Sequence, residues 1–225
     1  MIIQKDKQIS YDSNTEFEGI EAEVSAEDMH KFWDLLQDPY KNPIGAVVRE
    51  YVSNCFDSHA EANVSDAVHV KIGKDETGHY WSCEDFGVGL SPERMKNVFL
   101  KYLKSTKENT NNQIGAFGMS SKSGLAYTDV VHIRTRYEGI EYTYMLRKGE
   151  KNPRLDKLFE TETEERNGTL IKIYIKDHSN EVRRFRRECL KQLCYFDNIY
   201  FEECDIDNNY KIYEGKNWKY NPSMQ

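Results

Sequence analysis

The spacing of apolar residues along the chain predicts a mixture of helices and strands. Val48, Val52 and Phe56 recur four positions apart, which gives one side of a helix an apolar face. Serine before acidic residues favours a helix start at Ser25, and Ser91-Pro92-Glu93 combines an N-cap with a proline at the first helical position. The predicted helices cover residues 25–37, 43–60, 118–127 and 181–196, and a short one follows 91–93.

Strands are predicted where apolar and polar residues alternate, as they do in 16–24 and 169–176. Two hairpins are expected, one across a turn at 75–78 and one across 138–139. The polar run 104–113 has no periodicity and predicts a long functional loop. The predicted strands are 16–24, 68–72, 79–83, 130–137, 141–147 and 169–176. Together these elements predict an α+β fold, a two-layer sandwich with helices on one face of a mixed, largely antiparallel sheet.

The composition fits a single folded domain. The chain has 225 residues, of which 38% are hydrophobic, and a formal net charge of −7. No apolar run approaches the roughly 20 residues of a membrane-spanning helix, and the first residues lack the apolar stretch of a signal peptide. The negative charge argues against sequence-independent coating of DNA but leaves other nucleic-acid contacts open. We expect one domain over 1–176, with its core at 41–176, and a C-terminal helix and tail at 177–225 that pack on it or extend it.

The cysteines favour a cytoplasmic protein with reduced thiols. There are five of them and no C-x-x-C spacing, a pattern that suggests neither a disulfide framework nor a zinc site. Cys55 and Cys83 are expected to be small buried residues.

The predicted helix over 43–60 carries a polar stripe opposite its apolar face. At about 100° per residue, Glu50, Asn54 and Asp57 fall within roughly 60° of one another. Such a stripe is typical of a solvated helix face. It can also line a cleft, where the Asn54 amide oxygen binds a hard cation such as Mg²⁺ and a carboxylate orients or deprotonates a water.

Two segments that contain glycines offer further candidate chemistry. Asp85-Phe86-Gly87-Val88-Gly89 ends a predicted strand, where an aspartate can accept from an exocyclic amine and glycines let a ligand approach the backbone; an ordinary glycine turn has the same pattern. Gly115–Gly124 begins with glycines ahead of a predicted helix N-terminus and is either an anion site, with Lys122 adding a charge, or a flexible loop. It is not a Walker A loop.

The order and spacing of these segments resemble the GHKL ATPases, which include type II topoisomerase ATPase domains, Hsp90, MutL and histidine-kinase ATP domains. Glu50-x-x-x-Asn54-x-x-Asp57 resembles the N-box of the family, and Asp85-x-Gly87-x-Gly89 resembles its adenine-recognition box. Ile114-Gly115-Ala116-Phe117-Gly118 resembles its glycine box, and Asn167-Gly168-Thr169 resembles its last motif. The resemblance covers about 41–176 and implies the Bergerat fold.

The resemblance implies that these residues bind Mg²⁺ and ATP. Asp85 would accept a hydrogen bond from the adenine amino group, with Thr169 helping through a water, and Asn54 would hold Mg²⁺. Glu50 would orient the attacking water, and a lid over roughly 98–114 would close on the nucleotide. The remaining nucleotide contacts would come from Asp57, Gly87, Gly89, Gly115, Phe117, Gly118 and Ser121.

Two groups of proteins show a closer resemblance to this sequence. Ser105-Thr106-Lys107 and Lys122-Ser123 are similar to the lysine-bearing motifs of MORC-type ATPases, and runs such as 46–50 and 127–129 resemble the N-terminal domain of phage rIIA-like proteins. In gyrase- and MutL-like members a lysine of a transducer domain contacts the γ-phosphate. Since 49 residues follow Lys176, too few for such a domain, we expect Lys107 or Lys122 to act instead, or hydrolysis to be slow or absent. Lys107 is otherwise a solvated lid charge.

The leading hypothesis is therefore a phage rIIA-like GHKL ATPase in the cytoplasm of the infected host. It would bind Mg²⁺ and ATP and hydrolyse ATP slowly, while lid closure gates homodimerisation or contact with a host or phage protein. The alternatives are an ATP sensor without turnover and a phage-encoded factor that binds a host protein. The arginine-rich stretch 183–187 is either a solvated face paired with Glu181 and Glu188 or a contact for phosphate or a partner.

Overall fold

The computed structural model describes residues 42–99, 123–148, 153–176, 179–204, 213–215 and 218–220. The helices in these ranges are α1 (Pro43–Ala62), α2 (Pro92–Phe99), α3 (Gly124–Tyr127) and α4 (Ser179–Leu193). The strands are β1 (Val68–Lys74), β2 (His79–Asp85), β3 (Val130–Tyr137), β4 (Ile140–Arg147), β5 (Arg154–Glu162), β6 (Gly168–Tyr174), β7 (Ile199–Glu202), β8 (Tyr213–Gly215) and β9 (Trp218–Tyr220).

Most of the predicted elements are confirmed within these ranges. The helices predicted at 43–60, after 91–93 and at 181–196 are α1, α2 and α4, and both predicted hairpins are present. Of the helix predicted at 118–127, the described part is α3. The strand at 16–24, the helix at 25–37 and the loop at 104–113 lie outside the described residues. Strands β5, β7, β8 and β9 had not been predicted.

Local capping fixes both ends of α1. The Asn42 side chain accepts a hydrogen bond from the backbone N–H of Gly45 at 3.1 Å, and Pro43 occupies the first turn. At the other end, Asn63 has a left-handed backbone (φ 53°), and its N–H donates to the carbonyls of Ala60 and His59. These caps define the two ends of the helix that carries the polar stripe.

A seven-stranded sheet in the order β5-β4-β3-β6-β2-β1-β7 forms the second layer. Neighbouring strands are antiparallel except for β1 and β7, which are parallel. This mixed sheet with helices on one face confirms the predicted α+β fold. A row of residues in register across β1, β2, β6 and β3 is buried toward the helices: Val70, Cys83, Ile171 and Ile133.

The helical layer packs on this row through apolar residues of α1. Val48 and Val52 are fully buried, and the sulfur of Cys55 lies 3.7 Å from that of Cys83 on β2. Both cysteines are buried free thiols, which confirms the expectation for them. Helix α4 packs beside α1, and the Asn42 amide donates to Glu188 at 2.8 Å. Among the described helices, none is long and apolar enough to cross a membrane.

Candidate functional site

Asp85, the last residue of β2, is a buried carboxylate at the edge of the helical layer. It is 4% exposed, and its Oδ1 accepts hydrogen bonds from the Ser58 hydroxyl and the Gly87 backbone N–H, both at 2.9 Å. Within the described residues, its second oxygen, Oδ2, has no hydrogen bond. One oxygen is therefore fixed by α1 and by the following turn, while the other is available as an acceptor.

Burial raises the pKa of Asp85 from its usual value to about 6. The hydrogen bonds from Gly87 and Ser58 act in the opposite direction, because they stabilise the charged form. Asp85 is therefore ionised at pH 7, so that Oδ2 can accept a hydrogen bond from a ligand amine.

The turn after Asp85 depends on its two glycines. Gly89 has φ +69°, and a Cβ atom there would overlap the backbone carbonyl of Arg136 on β3. A Cβ atom on Gly87 would overlap the hydroxyl and backbone of Ser58. Both glycines therefore allow the turn to pack closely against α1 and β3.

Thr169 lies opposite Asp85 in the pairing of β2 with β6, so the sheet places side by side two residues that the motifs implied. Its hydroxyl lies 3.1 Å from the hydroxyl of Thr135 on β3. The Thr135 oxygen also accepts a hydrogen bond from the Leu90 backbone N–H at 2.8 Å. Thr135 thus ties the turn after Asp85 to β6, a role that sequence reasoning did not identify.

Two further residues of α1 support the turn and were also missed. Besides contacting Asp85, the Ser58 hydroxyl accepts from the Val88 N–H at 3.2 Å. The Nε2 atom of His59 accepts from the Phe86 N–H at 2.8 Å. Burial lowers the pKa of His59, which keeps this nitrogen free of a proton and able to accept. The sequence signal for both is their position directly after the polar stripe.

The polar stripe of α1 reaches this site. Glu50, Asn54 and Ser58 are spaced four apart and so lie on one side of the helix, the side from which Ser58 contacts Asp85. Asn54 is half-buried, and Oε1 of Glu50 accepts from Arg49 at 3.1 Å. Asp57 is 4% exposed, a value that does not fit a solvated face.

The glycine box and both candidate lysines lie outside the described residues, so the structure does not place them. They are Lys107, Gly115, Phe117, Gly118, Ser121 and Lys122. Of the lid predicted at about 98–114, the described part is the end of α2. The residue that follows this segment, Ser123, is buried, and its hydroxyl has no hydrogen-bond partner within the described residues. An unpaired buried hydroxyl is costly without a partner.

The side chains at this site suit a metal ion that is coordinated mainly by a bound small molecule and by only one or two protein oxygens. In the described part of the chain, no group of three or more His, Cys, Asp or Glu residues could hold a metal ion. The stripe offers instead the amide oxygen of Asn54 and the carboxylate of Glu50, both oxygen donors. Mg²⁺ commonly takes one or two protein oxygens and completes its shell with phosphates and water.

Comparison with known proteins gives one family and one fold. Residues 42–180 match the family described as histidine kinase-, DNA gyrase B-, and HSP90-like ATPase. The chain is also similar to the ATPase region of Saccharomyces cerevisiae topoisomerase II bound to ICRF-187 (dexrazoxane), with a TM-score of 0.53 and 14% identity. That match covers 71% of this chain and 47% of the other, so this chain spans less than half the length of that structure. At this identity the likeness shows the fold alone, and it confirms the Bergerat fold. No curated protein matches the chain significantly.

Proposed function

Because the chain belongs to the histidine kinase-, DNA gyrase B-, and HSP90-like ATPases, we propose that it binds ATP at Asp85 and hydrolyses it slowly. The single observation that carries the proposal is the Asp85 carboxylate itself. One oxygen is held by Ser58 and Gly87, and the other has no hydrogen bond within the described residues. A buried acceptor of this kind suits an exocyclic amino group such as that of adenine.

Thr169 and the glycine turn would complete the adenine pocket. Thr169 is the neighbour of Asp85 on β6 and would contact the base through a water. Gly87 and Gly89 let the turn pack against Ser58 and Arg136, which would fix its backbone beside the base. Thr135 would set the position of Thr169 without touching the ligand.

The phosphate end of the nucleotide would lie along the stripe of α1. Asn54, one turn before Ser58, would hold Mg²⁺, with Asp57 supporting this part of the helix. Bound Mg²⁺ would supply charge neutralisation for the phosphates. Glu50, a further turn toward the start of α1, would orient or deprotonate the attacking water.

We assign the remaining phosphate contacts to the segment before α3. Gly115, Phe117, Gly118 and Ser121 would surround the phosphates through backbone N–H groups, and Lys107 or Lys122 would contact the γ-phosphate. The Ser123 hydroxyl, which follows this segment directly and has no partner among the described residues, supports a polar ligand nearby. Closure of a lid over roughly 98–114 would couple ATP binding to homodimerisation or to contact with a partner.

The biological setting follows from the sequence resemblance alone. We propose a phage rIIA-like protein that acts in the cytoplasm of the infected cell on a host or phage protein. We also propose that residues 177–225 extend the ATP-binding domain over 1–176, since α4 packs on α1 through the hydrogen bond between Asn42 and Glu188.

One observation favours a second function, an ATP-binding sensor without turnover. The guanidinium of Arg49 lies against Oε1 of Glu50, with N–O distances of 3.1 and 3.3 Å. One oxygen of the Glu50 carboxylate is therefore engaged by Arg49 and is not available to contact a water. If Arg49 stays there when ATP binds, the protein would hold ATP and hydrolyse little of it.

Binding and turnover are tested separately. Titration with a non-hydrolysable ATP analogue and Mg²⁺ should show saturable binding that Asp85→Asn abolishes. Phosphate release under saturating ATP should be lost in Glu50→Ala, while the exposed-site control Glu76→Ala keeps the wild-type rate. A wild-type rate no higher than that of Glu50→Ala favours the sensor, and unchanged analogue affinity in Asp85→Asn contradicts the proposed site.

A further inference from the structure

The face of the sheet opposite the helices contains a cleft of about 320 Å³. Its floor is crossed by a second row of residues in register, one position along from the buried row. This row runs from β3 to β1 and consists of His132, Lys172, Ser82 and Lys71. Because side chains alternate along a strand, the cleft and Asp85 lie on opposite faces of the sheet.

Two polar side chains on this floor have no hydrogen-bond partner among the described residues. Ser82 is 6% exposed, yet within the described ranges its hydroxyl makes no hydrogen bond. The imidazole of His132 likewise has no hydrogen bond there, and its ring packs edge-on against Tyr174. Burial and the nearby Lys172 lower the pKa of His132. The ring is therefore neutral at pH 7 and offers one N–H donor and one acceptor nitrogen.

The carboxylates that line the cleft are already engaged. Glu84 accepts from Arg136 at 2.6 Å, and Glu202 accepts from Lys71 at 2.7 Å. The guanidinium of Arg134 is less committed, because its ion pair with Glu141 measures 3.5 Å and its side chain is 45% exposed. The lining thus has three cationic side chains and two carboxylates, and both carboxylates are engaged, which favours a ligand with anionic acceptor oxygens.

We propose that this cleft binds a small ligand through a phosphate or carboxylate group placed between Arg134 and His132. These residues are two positions apart on one strand, so their Cα atoms are about 7 Å apart. Both side chains line the cleft. Ser82 lies two strands away from His132, at about 10 Å, and would contact the body of the ligand. The proposal does not depend on ATP binding, since it uses the other face of the sheet.

The test follows the imidazole resonances of the histidines by NMR at constant ionic strength. Inorganic phosphate and succinate are titrated separately, with chloride as the blank. His132 reports on the cleft, whereas His59 is hydrogen-bonded beside Asp85 and reports on the nucleotide site. We expect a saturable shift of His132 in the millimolar range with at least one of the two anions, and the anion that gives it identifies the group.

Arg134→Gln should weaken this binding about tenfold, the value of one charge-assisted hydrogen bond. Arg154→Gln is the matched control, because Arg154 is an exposed arginine on β5 outside the cleft. An unchanged His59 resonance shows that both variants are folded. The proposal is overturned if neither anion moves His132, or if Arg134→Gln binds as tightly as the wild type. Loss of ATP binding in Asp85→Asn with the His132 shift intact would separate the two sites.

Discussion

The hydroxyl of Ser58 on α1 donates a 2.9 Å hydrogen bond to Oδ1 of Asp85 at the end of β2. This bond joins the helical layer to the sheet at the point where the adenine base is proposed to bind. The same hydroxyl accepts from the backbone of Val88, so one side chain fixes both the carboxylate and the turn that follows it.

Replacing Ser58 with alanine should weaken ATP-analogue binding about tenfold, because Asp85 loses one of the two donors that orient it. The lost bond stabilises the charged carboxylate, so the pH below which binding weakens should also move upward. Calorimetric titrations from pH 5 to pH 8 measure both effects. Ser65→Ala, at an exposed position just after α1, is the control. Wild-type affinity in Ser58→Ala across this range would show that the bond does not orient Asp85.

The raised pKa of Asp85 predicts how stability depends on pH. The folded protein binds this proton more tightly than the unfolded chain does, since the pKa rises from 3.8 to about 6. The free energy of unfolding should therefore fall as the pH rises from about 4 to about 6, by about 3 kcal/mol from this group, and should then level off. Urea unfolding gives the free energy of unfolding of the wild type and of Asp85→Asn at each pH. The difference between these two pH profiles isolates the effect of Asp85.

Asp85→Asn should gain stability relative to the wild type as the pH rises, because asparagine keeps an acceptor for Ser58 and Gly87 and cannot ionise. A difference between the two proteins that stays constant from pH 4 to pH 7 would mean that Asp85 titrates normally. Saturating nucleotide should reduce the difference, since an amine donor stabilises the ionised form.

Two glycines with similar backbone angles should respond differently to alanine. Gly139 has φ +78°, and a methyl group there would meet its nearest neighbour at 3.9 Å, so Gly139→Ala should lose only about 1 kcal/mol from backbone strain. Gly89→Ala adds a steric overlap with the Arg136 carbonyl and should lose at least about 2 kcal/mol more.

Thermal unfolding ranks the two glycine variants, and nucleotide titration shows the functional consequence. Gly89→Ala should lose nucleotide binding at temperatures where it is still folded, whereas Gly139→Ala should bind as the wild type does. Equal stability of the two variants would show that the turn moves away from β3 without penalty.

The sequence predicted those elements whose signals are local. Asn42 and Pro43 mark the start of α1 through a capping contact that reaches only three residues along the chain. The hairpin of β1 and β2 likewise closes over one short turn. Strand β5 was missed because most of its residues are exposed at the edge of the sheet, which removes the alternation that marks a half-buried strand. Strand β7 is four residues long and depends on parallel pairing with β1, which lies far away in sequence.

The candidate site likewise contains residues that the sequence predicted and residues that it did not. Asp85 and Thr169 were predicted from motifs, and the pairing of β2 with β6 places them side by side. Ser58 and Thr135 were missed because their importance lies in partners 27 and 34 residues away. Serine on a helix face and threonine in a strand carry no local sign of such contacts. They become visible only when the register of the sheet and the position of α1 are known.

Thr135→Val should show that a residue outside the motifs positions Thr169. Valine preserves the shape but removes the oxygen that accepts from Leu90, leaving a backbone N–H without its partner, at a cost of about 1–3 kcal/mol. A double-mutant cycle with Thr169→Val measures the coupling between the two hydroxyls in both stability and analogue affinity. Additive effects on affinity would leave Thr135 with a structural role only.

The ion pair between Arg49 and Glu50 predicts that turnover is restrained in the protein as it stands. Arg49→Ala frees Oε1 of Glu50 to contact the attacking water and should raise the rate of phosphate release under saturating ATP, with analogue affinity unchanged. The double variant Arg49→Ala/Glu50→Ala should return to the rate of Glu50→Ala alone, because the gain depends on a free carboxylate. Arg94→Ala, which breaks an ion pair with Glu61 at the other end of α1, is the matched control. A rate that falls in Arg49→Ala would mean that Arg49 assists hydrolysis by holding Glu50 in place.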